Sequence, residues 1–229
     1  MADRQDFILG DPIPFEKQQT SGRNRMCGAA VLCMVYRSYG QQVTQDEIWE
    51  QISQPWLRNT HCAATHKMAA DALQRGLAAV IVQTREPWQT LERSLRTRLR
   101  LILNHRTSSS SRSGHYSVVV QLSDHDITLH DPQEGPLQLY DRPEFLQLWS
   151  TLRQGSEIAG NVLIACGLPD EAAFSCPECA RELPPTRNCS RCRKEFPLRP
   201  AAALGCLEDG CSQRTWSKIY CPHCDSPHW

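Results

Sequence analysis

The sequence predicts an α+β domain over residues 1–170, followed by a small zinc-binding domain over residues 171–229. In the first part, segments with helical periodicity alternate with short β-branched segments, several of them joined by tight turns. This alternation is typical of helices packed on a mainly antiparallel sheet. In the second part, eight of the twelve cysteines of the chain occur at metal-ligand spacing.

Helices and strands of the first domain follow from the period of its apolar residues. Cys27 begins a buried apolar segment that ends at Gly40, a residue type common at helix C-termini. Thr44 and Glu47 have the spacing of a capping box, which predicts the start of a second helix. Further helices are expected at residues 60–75, from residue 87 and at 143–152, and strands at 77–84, 99–105, 115–122, 127–132 and 160–168.

Three residues of this domain have the side chains and the chain order of a thiol catalytic site. Cys27 lies in the first turn of its helix, where the helix dipole and unpaired backbone N–H groups stabilise a thiolate. His115 begins one strand of a hairpin and Asp131 ends the next, so the two can meet if a bulge or a diagonal contact offsets the register. The imidazole would then accept the thiol proton, and the carboxylate would orient the imidazole. A cysteine that only packs in the core is the alternative interpretation of Cys27.

Other histidines and cysteines of this domain have simpler interpretations. His61, Cys62 and His66 are close in sequence, but no fourth ligand is near, so they are interpreted as polar residues around a helix start. His105 and His130 lie on predicted strands and are expected to face solvent.

Four short motifs between residues 10 and 167 resemble one family in combination, although each motif alone is weak. They are Pro14 to Gln18, Cys27-Gly28-Ala29-Ala30, Gly114-His115-Tyr116-Ser117-Val118-Val119 and Asp131-Pro132. Together they resemble the papain-like cysteine peptidases that remove double-glycine leaders from bacteriocins.

This resemblance implies a papain-like fold and a role for each motif residue. Cys27 would be the nucleophile, His115 the base and Asp131 the orienting carboxylate. The oxyanion-hole glutamine of the family maps onto Gln18, whose amide would act together with the backbone N–H of Cys27. Gln18 lies nine residues before Cys27, a longer interval than is usual in the family, so Gln19 is an alternative. The implied reaction is cleavage of a peptide or isopeptide bond after glycine.

The C-terminal segment contains four pairs of closely spaced cysteines. Each pair can place two thiolates on one metal ion, and four thiolates complete a tetrahedral zinc site, so two structural Zn²⁺ ions are expected. The eight ligands are Cys176, Cys179, Cys189, Cys192, Cys206, Cys211, Cys221 and Cys224.

The order of the cysteine pairs leaves two arrangements open. Sequential pairing gives two zinc ribbons in tandem, whereas alternating pairing gives a cross-brace of the RING type. Tandem ribbons are the preferred interpretation, because each half has its own nine-residue interval and residues 197–203 resemble a linker. The whole segment is expected to fold separately from the first domain.

Charge and hydropathy exclude several other classes of protein. The formal net charge is zero, so no overall field attracts nucleic acid or an anionic membrane. No apolar run is long enough for a membrane span, and the N-terminus lacks the pattern of a secretory signal. Cysteines at zinc spacing in such a chain indicate a reducing compartment, so we expect a cytoplasmic protein.

Two functions are compatible with these features. The first is a thiol peptidase whose zinc-binding segment recruits a protein substrate or a protein partner. The second is a non-catalytic adaptor that uses both parts for protein binding. A complete set of cysteine, histidine, aspartate and glutamine favours the peptidase, because an adaptor does not need all four.

Metal analysis of the purified chain should give about two zinc ions per molecule, because eight thiolates supply two complete four-sulfur sites. Mass spectrometry under non-denaturing conditions, before and after treatment with a chelator, measures this stoichiometry. One ion or none would contradict the assignment of two sites.

Overall fold

The computed structural model describes residues 7–8, 12–22, 24–56, 59–151, 158–170 and 174–229. Its helices are α1 (Cys27–Ser38), α2 (Gln45–Ile52), α3 (Thr65–Gln74), α4 (Pro87–Arg96) and α5 (Arg142–Trp149). Its strands are β1 (Phe7–Ile8), β2 (Thr20–Ser21), β3 (Asn24–Arg25), β4 (Ser53–Pro55), β5 (His61–Ala63), β6 (Ala78–Thr84), β7 (Arg100–Arg106), β8 (Gly114–Leu122), β9 (Asp126–Asp131), β10 (Gly135–Asp141), β11 (Val162–Gly167), β12 (Phe174–Ser175), β13 (Glu182–Leu183), β14 (Thr186–Asn188), β15 (Glu195–Pro197), β16 (Trp216–Tyr220) and β17 (Pro227–His228). Among the described helices, none combines the length and the apolar character that a bilayer crossing requires.

One antiparallel sheet of nine strands runs through the described part of the chain. Eight strands lie in the order β10, β9, β8, β7, β11, β6, β16 and β17, and β1 pairs with the far end of β8. Each neighbouring pair is antiparallel. Helices packed on this sheet confirm the predicted α+β class.

Helix α1 lies at the centre of the core. It packs against β8 and α2, and its residues from Cys27 to Tyr36 are buried. A β-carbon at Gly28 would lie 2.4 Å from the β-carbon of Ala63 in β5, closer than two carbons can approach. Glycine at this position therefore allows β5 to lie directly beside the first turn of α1.

Most predicted elements of the first part are confirmed, but the short strands β1 to β5 and the seven-residue strand β10 were not predicted, and α3 begins later than expected. The capping box is present, because Thr44 and Glu47 each accept a hydrogen bond from the other's backbone N–H group. Helix α3 begins at Thr65 instead of Thr60, since residues 61–63 pair with β4 as an extra strand. Periodicity alone did not reveal this three-residue strand, because so short a segment has no measurable period.

Strand β16, from the cysteine-rich segment, extends the main sheet by pairing with β6. Trp216 on this strand is fully buried, and its indole N–H donates to the carbonyl oxygen of Leu204 at 2.7 Å. Leu183 and Phe196 belong to the same hydrophobic core as helix α1. The expectation of a separately folding C-terminal unit therefore needs correction, because both parts share one core. The boundary at residue 170 stays a prediction.

Replacing Trp216 with alanine should destabilise the entire molecule by about 3–5 kcal/mol, the usual cost of removing a buried tryptophan. Urea unfolding followed by circular dichroism measures the effect as a single transition that moves to lower urea. Leu139→Ala, at a side chain that is 67% exposed, is the control and should change stability by less than about 0.5 kcal/mol. An unchanged transition of the main sheet in Trp216→Ala would mean that β16 contributes nothing to it.

Candidate active site and metal clusters

The three predicted side chains meet at the N-terminal end of α1. Nε2 of His115 lies 2.8 Å from Oδ1 of Asp131, and the imidazole also hydrogen-bonds the side chain of Cys27. Because Nε2 faces the carboxylate, Nδ1 is the nitrogen available to the thiol. The register of β8 and β9 shifts between Val119 and Gln121, as the approach of His115 to Asp131 required.

Hydrogen bonds outweigh the effect of burial at both members of the His115–Asp131 pair. Burial alone would lower the pKa of His115, but its hydrogen bonds with Asp131 and Cys27 raise that pKa to about 9. Burial alone would raise the pKa of Asp131, but the hydrogen bond with His115 and two backbone N–H groups lower it to about 2. Those N–H groups belong to Gln133 and Glu134, at 2.8 and 3.1 Å from Oδ1. An imidazolium beside a carboxylate is therefore the stable form at neutral pH.

His105 is buried beside the imidazole of His115, which corrects the expectation that it faces solvent. Its ring meets the ring of His115 edge to face, with centroids 5.6 Å apart. Nδ1 donates to the carbonyl oxygen of Arg106 at 2.9 Å, and Nε2 lies 2.9 Å from the hydroxyl of Ser117. Burial lowers the pKa of His105 to about 4, so its ring is neutral. His130, also expected in solvent, is buried as well.

Gln18 and Gln19 occupy different environments. The backbone N–H of Gln18 donates to the carbonyl oxygen of Pro132 at 2.9 Å, which holds Gln18 beside the end of β9. Its side chain is partly buried, and Oε1 has no hydrogen-bond partner among the described residues. Gln19 is exposed, and its backbone N–H donates to Gln45 Oε1 at 2.9 Å.

A cleft of about 700 Å³ opens over Cys27 and His115. One wall comes from β5 and the start of α3, and another from the loop between β7 and β8. Tyr116 stands in the lining, and its hydroxyl lies 2.7 Å from the hydroxyl of Thr65. The cleft is large enough for several residues of an extended peptide.

Three residues of this cleft were not identified as functional from the sequence. Trp56 lines it with a side chain that remains 43% exposed, and His66 lies in the first turn of α3. Asp225 comes from the C-terminal segment, directly after Cys224, and its Oδ1 lies 4.0 Å from Nδ1 of His66. The sequence offers no local signal for Asp225, because its place in the cleft depends on how β16 docks on the sheet.

The eight C-terminal cysteines form two clusters whose geometry suits a tetrahedral metal ion. Four sulfurs bound to zinc at about 2.3 Å lie about 3.8 Å apart. Between the two cysteine pairs of the first cluster, the Sγ–Sγ distances are 3.8 and 3.5 Å, and in the second cluster they are 3.6 and 3.9 Å. These distances match the expected value. They are far longer than a disulfide bond, which is about 2.05 Å. The clusters are Cys176, Cys179, Cys206 and Cys211, and Cys189, Cys192, Cys221 and Cys224.

The preferred tandem arrangement of the cysteine pairs is wrong, and the alternating cross-brace is correct. The first pair joins the third, and the second joins the fourth. The physical reason lies in three small hairpins, β12–β13, β14–β15 and β16–β17, each of which carries one cysteine pair in its turn. The first nine-residue interval therefore joins two different hairpins, and the second joins the loop that carries Cys206 and Cys211 to β16–β17, so neither length indicates which pairs share a metal.

A thiol, an imidazole and a carboxylate in hydrogen-bonded sequence are the side chains that papain-like cysteine peptidases use. The model of the Peptidase C39 family matches residues 15–153 of the chain. Because this match covers more than half of the sequence, the chain belongs to the Peptidase C39 family. The two metal clusters lie outside the matched residues.

Two solved structures have the same fold at low sequence identity. A putative C39-like peptidase from Bacillus anthracis has a TM-score of 0.58 and 13% identity, over 74% of this chain and 100% of that chain. The peptidase domain of Streptococcus ComA, a bifunctional ABC transporter of a quorum-sensing pathway, has a TM-score of 0.51 and 14% identity, over 69% of this chain and 100% of that chain. No curated protein matches the sequence.

Asp131→Asn should lower the pKa of His115 from its value of about 9, since the variant removes the charged hydrogen-bond acceptor. NMR titration of the imidazole C–H signal measures this change. The imidazolium stabilises the folded state fully below the unfolded histidine pKa of about 6.5, and this contribution disappears as the pH rises towards 9. The stability difference between the two proteins should therefore be largest between about pH 4 and pH 6.5, because protonation of Asp131 reduces it below this range and deprotonation of His115 reduces it above. An identical titration curve in the variant would show that Asp131 does not act on the imidazole.

Proposed function

We propose that this chain is a thiol peptidase that cleaves a peptide or isopeptide bond after glycine. Cys27 is the nucleophile, His115 the general base and Asp131 the orienting carboxylate. The observation that carries this proposal is the imidazole of His115, hydrogen-bonded on one side to Cys27 and on the other to a buried carboxylate. A papain-like fold over the family match supports it.

The first half of the reaction forms an acyl-enzyme. As an imidazolium, His115 already holds on Nδ1 the proton given up by the thiol, and the sulfur of Cys27 attacks the carbonyl carbon of the substrate as a thiolate. The resulting oxyanion accepts hydrogen bonds from the backbone N–H of Cys27, at the free N-terminal turn of α1, and from the side-chain amide of Gln18. We prefer Gln18 to Gln19 because the Gln18 side chain is partly buried beside Pro132, whereas Gln19 is exposed.

The second half releases both products and restores the enzyme. The imidazolium gives its proton to the amine leaving group as the carbon–nitrogen bond breaks, which leaves a thioester on Cys27. His115 then takes a proton from water, and the hydroxide attacks the thioester carbon. The carboxylic acid product leaves as the carbon–sulfur bond breaks, which restores the thiolate beside the imidazolium. Asp131 stays ionised throughout and stabilises the imidazolium.

The two cysteine clusters are proposed to bind structural zinc. Four sulfur ligands close each site and leave no position for a reacting water, so the metal would hold the fold and take no part in bond cleavage. We infer a cytoplasmic, reducing location from these thiolates. The C-terminal segment is proposed to recruit a protein substrate or partner, since it forms part of the catalytic cleft through Asp225.

Iodoacetamide at mildly acidic pH should modify Cys27 well before the other non-ligand cysteines. Burial raises the pKa values of Cys33 and Cys166 to about 12, so both stay protonated and unreactive. Peptide mapping by mass spectrometry identifies the labelled residue. Cys62→Ser, which changes another thiol of the same cleft, is the matched control and should keep the label on Cys27.

Activity provides the decisive measurement for the same proposal. The wild-type chain should cleave a peptide with a central Gly-Gly, and Cys27→Ala should show no turnover, whereas Cys62→Ser should retain it. If Cys27 resists labelling and no peptide is cleaved, the chain is an adaptor that uses the same cleft for binding.

A further inference from the structure

Asp225 brings a carboxylate from the metal-binding segment into the catalytic cleft. It follows Cys224, the last ligand of the second cluster, and its backbone N–H donates to the carbonyl oxygen of Cys221 at 2.9 Å. Its φ of +60° lies in the left-handed region, which aspartate and asparagine tolerate better than most residues. The position of this carboxylate is thus fixed by the turn that carries the cysteines.

The carboxylate is accessible within the cleft. The Asp225 side chain is 57% exposed. Its Oδ1 lies 4.0 Å from Nδ1 of His66, which is a long distance for an ion pair. A neutral imidazole at this distance would neutralise little of the charge, and burial lowers the pKa of His66 below its usual value. A substrate group of positive charge could therefore pair with Asp225.

Among the described lining residues, Asp225 is the single acidic one. The same lining contains the exposed indole of Trp56, and an aromatic face attracts cations such as guanidinium. Arg25, on β3, also lines the cleft and repels a cation. The cleft therefore distinguishes positions along a bound peptide: a cation is favoured near Asp225 and disfavoured near Arg25.

We infer that Asp225 selects substrates with a basic side chain, arginine or lysine, at one defined position relative to the cleaved bond. This inference rests on the proposed function for the identity of the substrate as a peptide. It gives the cysteine-rich segment a direct part in specificity, because a residue beside a metal ligand contacts the peptide.

The alternative is that Asp225 only fastens the C-terminal turn to α3 through His66. Asp225→Asn separates the two roles. Asparagine keeps the size and the left-handed backbone of aspartate but removes the charge. A fastening role would appear as lower stability or lower metal content of the variant, whereas a recognition role would appear as a changed preference between peptides.

The test measures binding to the full-length, metal-loaded chain carrying Cys27→Ala, so that no peptide is consumed. The probes are fluorescein-labelled peptides with a central Gly-Gly, in which one arginine occupies each other position in turn. In the matched set, citrulline, which is neutral and of nearly the same shape, replaces that arginine. Fluorescence anisotropy gives the ratio of the two dissociation constants at each position.

At one position, arginine should bind about fivefold more tightly than citrulline, the expected size of a partly exposed ion pair. Added salt should reduce this preference by screening. Adding Asp225→Asn should bring the ratio close to one. Glu182→Gln, which removes an exposed carboxylate from β13 outside the cleft, is the control and should leave the ratio at about five.

Each other result overturns a specific statement. Equal binding of arginine and citrulline peptides at all positions overturns the preference for a cation. A preference that survives Asp225→Asn overturns the role of Asp225. If the peptides bind tightly and selectively but the wild-type chain does not cleave them, the proposed peptidase activity is overturned and the role of Asp225 in recognition is supported. If no peptide binds, both proposals are overturned.

Discussion

The pairing of β16 with β6 determines how the two parts of this molecule work together. Ile219 and Tyr220 lie opposite Val82 and Ile81 in the register of these strands. Cys221 follows immediately, so the register also fixes where the second cysteine cluster lies relative to the sheet. The approach of Asp225 to His66, in the lining of the cleft over Cys27, follows from the same pairing. One set of backbone hydrogen bonds thus connects the core, a cysteine cluster and the cleft over Cys27.

The meeting of Cys27, His115 and Asp131 could be predicted from the sequence because their placement is mostly local. Cys27 begins a strongly apolar helix, and His115 and Asp131 lie on two strands joined by one short turn. Local pattern and the resemblance of four motifs were enough to bring them together. The sequence indicated that the register of the hairpin must shift, but it did not indicate where. A bulge between Val119 and Gln121 has no distinct residue pattern in an apolar strand.

The arrangement of the C-terminal segment could not be predicted because it depends on distant contacts. Four cysteine pairs at similar spacing satisfy tandem and alternating sites equally well by count. The choice is made by packing, above all by the burial of Trp216 and Phe196 in the core of the first part. Strand β16 has five residues and lies between two cysteine pairs. Nothing in its sequence indicates that it pairs with β6, more than one hundred residues earlier in the chain. The burial of His105 was not predicted for a related reason, because it depends on a contact with His115 from the neighbouring strand.

The shared core makes metal binding and folding thermodynamically linked. A ligand that binds only the folded state adds its binding free energy to the stability of whatever unfolds with its site. Here the site unfolds together with β16, and the loss of β16 exposes the edge of β6. Any cation bound by the four sulfurs that include Cys221 and Cys224 would therefore stabilise the peptidase sheet as well as its own loops. By the reciprocity of linkage, a peptide that binds more tightly when that cation is bound would in turn raise the equilibrium affinity of the cluster for the cation.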